Sequence, residues 1–82
     1  MTVRLHIRAV AASETLSRIL GLLAQRALVP DMLAASRHDA DLHIELDLAI
    51  DTDRALLIAA KLREQVLVDS VIVAPARAVA AG

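Results

Sequence analysis

Four side chains able to hold a metal ion or move a proton crowd into one short stretch: His38, Asp39, Asp41 and His43. Imidazoles and carboxylates are ligands for zinc or nickel, and a histidine beside a carboxylate is a common proton-transfer pair. Their spacing matches no closed metal site, and polar residues collect in this way at a solvated loop tip. No metal is expected here. His6 lies between Arg4 and Arg8 and could approach His43 on an open sheet surface; a solvated pair is the reading, because neither ring has a cleft or a partner base. The chain has no cysteine, so neither a thiolate site nor a disulfide exists. Its only glycines are Gly21 and Gly82, so no glycine loop cradles a phosphate. No nucleophile, general base and oxyanion donor can be assembled. No catalytic residue and no cofactor are expected.

The elements that must position these residues follow from hydrophobic periodicity. Val3, Leu5, Ile7 and Ala9 alternate with Arg4, His6 and Arg8, predicting a strand over Val3–Val10. Ala11, Ala12 and Ser13 connect it to a helix over Glu14–Leu28, with Ser13 as the N-cap and Glu14 in the first turn. Leu16, Ile19, Leu20, Leu23 and Ala27 form that helix's apolar stripe. Gly21 lies off it, at a cost of about 1 kcal/mol relative to alanine, which a close neighbour would explain. Pro30 ends the helix and holds Val29 extended. A second strand over Asp31–Ser36 and a loop over Arg37–Asp41 precede the cleanest alternation of the chain. There Leu42, Ile44, Leu46, Leu48 and Ile50 point one way, and His43, Glu45 and Asp47 the other. Asp51, Thr52 and Asp53 start a second helix, with Ala55, Ile58, Ala59, Leu62 and Val66 inward and Leu57 outside that stripe. Val68–Ala74 make the last strand, and Pro75 stops it.

The order β-α-β-β-α-β predicts an α+β, ferredoxin-like sandwich in which two helices cover one face of a four-stranded antiparallel sheet. Residues 1–74 form this domain, and 75–82 are expected to be a flexible C-terminal tail. In such a sheet the first and third strands are neighbours, so Arg4 and Arg8 can face Glu45 and Asp47 on the open side.

A chain of 82 residues holds one domain and buries only roughly 60–65% of the surface its unfolded form exposes. With 57% hydrophobic residues, some of its surface is expected to lie against another chain. The net charge of −1 and the absence of aromatic residues exclude a nucleic-acid reader, which needs a basic face or stacking platforms. No apolar run approaches the roughly 20 residues that span a bilayer, and the charged–apolar alternation of the first ten residues does not form a signal peptide's apolar core. A cytoplasmic protein is expected. The second strand should lie at a sheet edge, and Met32-Leu33-Ala34-Ala35 carries no charge to guard it. Edge-to-edge pairing into a homodimer is expected through these residues.

The segments ETLSRILGLLAQRALVPDMLAAS, LHIELDLAI and LREQVLVDSVIV, taken in register, resemble an ACT regulatory domain. More narrowly they are similar to the small subunit of acetolactate synthase (acetohydroxyacid synthase), closest to the isozyme II type. Leu16, Arg18, Gly21, Arg26-Ala27 and Leu62–Val73 carry the likeness, together with Glu-Thr-Leu, Ala-Ala-Ser and Ile-Glu-Leu. The resemblance implies a non-catalytic activating subunit in branched-chain amino acid biosynthesis. Its large subunit would hold thiamine diphosphate, FAD and magnesium, and a branched-chain amino acid such as valine would be the effector. It also implies an effector site at a dimer interface, between the turn after the first strand (Ala12, Ser13, Glu14, Thr15) and the start of the neighbour's second strand (Val29, Asp31). The chain departs from the family at both places. Glu14 stands where a glycine usually opens the helix N-terminus to a carboxylate, and Val29 where asparagine is usual, so weak or absent valine feedback is expected. Large-subunit docking would use the open sheet face (Arg4, His6, Arg8, His43, Glu45, Asp47) or exposed Leu22 and Leu57. The alternative is a free-standing sensor that binds a small amino acid or metal and acts on another partner.

Overall fold

A computed structural model describes residues 1–76 of the chain. The elements are β1 (Val3–Val10), α1 (Thr15–Gln25), β2 (Met32–His38), β3 (Asp41–Leu48), α2 (Thr52–Arg63) and β4 (Val68–Pro75). The four strands form one antiparallel sheet in the order β2-β3-β1-β4. This is the expected α+β sandwich, with β1 and β3 at the centre and β2 at an edge.

Register follows from the alternation. Leu5 stands opposite Leu46 and Ile7 opposite Ile44, which sends the apolar half of both central strands to one face. On that face Val3, Leu5, Ile7, Ala9, Ile44, Leu46 and Leu48 are buried beneath Ile19 and Leu23 of α1 and Ala55, Ile58, Ala59 and Leu62 of α2. The β1–β4 pairing shifts between Arg8 and Ala9, leaving Asp69 as an extra residue in β4. That bulge explains why Val68 and Val71, three apart rather than two, both reach the core.

α2 begins where its sequence directs. The Asp51 carboxylate accepts the Arg54 N–H at 2.8 Å, Asp53 sits in the first turn, and Lys61 and Arg63 in the last. Arg63 also donates to the Val71 carbonyl at 2.6 Å, tying the helix end to β4.

Several expected boundaries move. α1 starts at Thr15 and ends at Gln25, and Ser13 is not its cap: Glu14 holds that position without a side-chain bond to the helix. Ala27 leaves the apolar stripe altogether. It adopts φ 56°, and the Ala27 and Leu28 N–H groups donate back to Ala24 and Leu23, closing the helix in a left-handed turn. Gly21 has no close neighbour; nothing lies within 4 Å of where a Cβ would stand. β2 runs on to His38, so the expected five-residue loop shrinks to Asp39-Ala40, with φ 56° at Asp39. β3 stops at Leu48, although Ile50 is still buried. Val66 lies beyond the end of α2 and is 95% exposed rather than inward. Pro75 closes β4 opposite Val3 instead of stopping the strand before it, and the Ala76 N–H donates to the Thr2 carbonyl at 3.2 Å. The rest of the expected tail, 77–82, lies outside the described residues.

Candidate functional site

The helices cover one side of the sheet and leave the other bare. Register places on this bare face, strand by strand from β2 to β4, the rows Met32–Asp47–Arg4–Ala74, Ala34–Glu45–His6–Ile72 and Ser36–His43–Arg8–Ser70. All six residues expected on the open side, Arg4, His6, Arg8, His43, Glu45 and Asp47, are therefore together. Large side chains stand on the central strands, and Ala34, Ser36, Ser70 and Ala74 on the flanks are small. The result is a polar ridge with a shallow trough on each side, of about 300 Å³ beside Ala34, Ser36, His43 and Glu45 and about 160 Å³ beside Ser70 and Ile72.

The ridge is electrostatically ordered. Arg4 grips Asp47 with two parallel hydrogen bonds, Nε to Oδ1 at 2.7 Å and Nη2 to Oδ2 at 3.0 Å. This hydrogen bonding holds the Asp47 carboxyl below its ordinary range, with burial opposing it and the Arg4 charge adding to it; the Arg4 guanidinium is raised in turn. His6 Nδ1 lies 3.3 Å from Glu45 Oε2. Arg8 does not reach Glu45 or Asp47 as expected; its nearest carboxylate is Asp41, at a loose 3.8 Å. Nor do His6 and His43 pair. His43 meets His38 instead, with ring centroids 4.5 Å apart and the planes inclined by 42°.

The turn after β1 is the second candidate. Ala12 and Ser13 lead into it, and Ser13 and Glu14 are exposed. Thr15 is fully buried and its hydroxyl donates to the Val10 carbonyl at 2.6 Å, pinning the helix start onto the strand end. Its spacing from Val10 gave no sign of this role. Glu14 leans into a groove of about 720 Å³ with Arg18, Gly21 and Leu22 of α1 on one wall and Glu64–Leu67 on the other. Sequence periodicity missed this groove because it placed Val66 in the core. Gln65 spans the groove's base, donating to the Arg18 carbonyl at 3.4 Å, while its Oε1 is buried without a partner.

Val29 and Asp31, the other half of the expected effector site, are not near this turn. The turn follows Val10, which pairs with Asp41 at one end of β3; the Asp31 N–H donates to the Asp47 carbonyl at the opposite end, at 2.8 Å. Within one chain the two halves are separated by the length of the sheet. Val29 is 82% exposed.

The dimer candidates occupy the free margin of β2. Leu33 shares the helix-side face with Leu46, yet it is 42% exposed because neither helix reaches over β2. Ala34 and Ala35 are exposed, and Met32 is partly covered. Among the described residues no three metal-ligating side chains converge, and no helix is long and apolar enough to cross a membrane.

Solved structures share this architecture. The ACT domain of GTP pyrophosphokinase from Chlorobium tepidum superposes with a TM-score of 0.77 at 16% identity, over 89% of this chain and 84% of that one. The ligand-free regulatory subunit of aspartate kinase from Thermus thermophilus gives 0.72 at 15% identity, over 90% of this chain and 50% of that one. A homoserine dehydrogenase from Thiobacillus denitrificans gives 0.71 at 19% identity, over 89% of this chain and 16% of that one. At these identities the likeness is one of fold. No curated protein sequence matches the chain. The family model described as an ACT-like domain matches residues 1–80, and the chain belongs to the ACT-like domain family.

Proposed function

We propose that the chain is a non-catalytic regulatory subunit that docks on a larger catalytic chain, and that this partner is the thiamine-diphosphate-dependent large subunit of an acetolactate synthase. The observation that carries the reading is the bare sheet face. Its central side chains are already held in defined positions by the Arg4–Asp47 fork and the His6–Glu45 contact, and no group on it is poised for bond-making. A prearranged polar surface of this kind lowers the cost of docking a partner. The partner's identity rests on the sequence resemblance to the small subunit.

Activation would follow from tighter binding to the active conformation of the large subunit, a coupling typically worth about 1–3 kcal/mol. Glu14 beside the start of α1 repels an effector's carboxylate, so valine should have little effect. Two copies joined along β2 would present two such faces. The experiment is reconstitution: acetolactate formation by the purified large subunit, with and without this chain, then with valine. Activation in the range of about 5–150-fold is expected, with less than a twofold change on adding valine, and Glu45→Lys should weaken it. Unchanged turnover on mixing would sink the reading.

A second reading, a free-standing sensor of a small amino acid, is favoured by the groove beside Glu14 and Arg18, which pairs both charge signs with apolar Leu22 and Val66. Calorimetry of the chain alone against amino acids separates the two, since only the sensor gives heat without a protein partner.

A further inference from the structure

The turn Asp39-Ala40 fixes the register of the β2–β3 hairpin, setting His38 opposite Asp41 and Ser36 opposite His43. All four residues lie on the bare face of the sheet. His38 and His43 are therefore diagonal neighbours on adjacent strands, with ring centroids 4.5 Å apart and planes inclined by 42°. The Ser36 hydroxyl stands 3.1 Å from His38 Nε2. Both rings are exposed, and no carboxylate lies within ion-pair distance of either among the described residues, whereas His6 has Glu45. Neither burial nor charge pairing accounts for two imidazoles meeting at a solvated strand edge.

We propose that His38 and His43 form a two-imidazole chelate for a divalent transition-metal ion, Cu(II) foremost and Ni(II) or Zn(II) more weakly. Imidazole suits all three ions, and their affinities for nitrogen sites peak at copper. Two imidazoles bound at roughly 2.0–2.1 Å on adjacent corners of one ion hold their ring centroids about 5 Å apart, close to the 4.5 Å observed; side-chain rotation would bring one nitrogen of each ring to the ion. The strand ladder fixes both backbones in advance, which lowers the entropic cost of bringing the ligands together. No third protein donor converges on the pair among the described residues. The remaining positions belong to water, or to a donor on whatever chain covers this face. The site does not depend on the identity of that chain.

The test is calorimetric titration of the full chain with Cu(II), Ni(II) and Zn(II), repeated on His38→Asn, His43→Asn, the double variant and His6→Asn. One ion per chain is expected, with copper bound most tightly. Either single substitution should weaken it at least about tenfold, the scale on which even the loss of an outer partner to a metal ligand is felt. His6→Asn should leave it unchanged. Electron paramagnetic resonance of the Cu(II) complex should show two coordinated imidazole nitrogens in the parent and one in each single variant. All three histidines are at the surface, so circular dichroism should show the variants folded. Absence of binding, equal binding by His38→Asn or His43→Asn, persistence in the double variant, or loss on His6→Asn would each overturn the proposal.

Discussion

Asp47 sits at the point where β1, β2 and β3 meet: its carboxylate takes both hydrogen bonds of the Arg4 fork, and its carbonyl accepts the Asp31 N–H that leads into β2. Because Arg4 holds its carboxyl below the ordinary value of 3.8, the folded state binds fewer protons there than the unfolded state. This contribution to stability is therefore complete above pH 3.8 and is lost as pH falls through the lowered value. Asp47→Asn should remove that component, so urea midpoints measured from pH 5 downward should fall less steeply in the variant than in the parent. The same slope in both proteins would mean the fork is not formed in solution. That Arg4 would meet a carboxylate of β3 was legible from alternation and the expected β1–β3 neighbourhood, but the choice of Asp47 over Glu45 came only with the register. The other pairings were not legible. Arg8 has carboxylates on several sides, and only the exact register decides which is within reach. Thr15 was legible as a member of the turn but not as its buried anchor, since a threonine hydroxyl bonding to a carbonyl five residues earlier has no periodic signature.

The helix ends show the same boundary between pattern and geometry. Apolar periodicity carried α1 past Gln25 because Ala27 fits the stripe, but alanine has no polar group and fits nearly any pattern. What ends the helix is a left-handed residue followed by Leu28, whose N–H returns to Leu23 and whose side chain packs against the core. Glycine is the usual occupant of that position, and its absence hid the stop. Ala27→Gly should stabilise the protein by about 1 kcal/mol, a rise of roughly 4–8 °C in melting temperature for a domain this size; a lower melting temperature would refute the left-handed conformation. In β4 the bulge at Asp69 put two valines of odd spacing on one face, which strict alternation cannot express. β3 was fully legible in its facing because it is central, buried on one side and bare on the other, the condition under which alternation is enforced most strongly. Gly21 is the converse. Its cost inside a helix suggested a close packing neighbour, yet the space beside it is open, and it lines the groove next to Arg18.

Across the whole molecule, the helices are set over β1, β3 and β4, and β2 is left with an unpaired edge and an exposed Leu33. An edge whose first four residues, Met32–Ala35, carry neither charge nor proline is a template for a second copy. The candidate effector residues stand at opposite ends of the sheet, so if they form one site they do so only between chains. If two copies pair along β2, the melting temperature should rise with protein concentration, and Ala34→Lys should yield a monomer by light scattering at micromolar concentration; a dimer unaffected by that substitution would locate the interface elsewhere. One more property of the sheet reaches beyond recognition. Because β1 and β4 are neighbours and antiparallel, Thr2 and Ala76 are hydrogen-bonded at the same corner of the sandwich. The polypeptide enters and leaves this unit through a single doorway. It could therefore be spliced into a surface loop of an unrelated host with little strain, or have those ends ligated and fresh termini cut between Asp39 and Ala40, and still close the same four-stranded sheet.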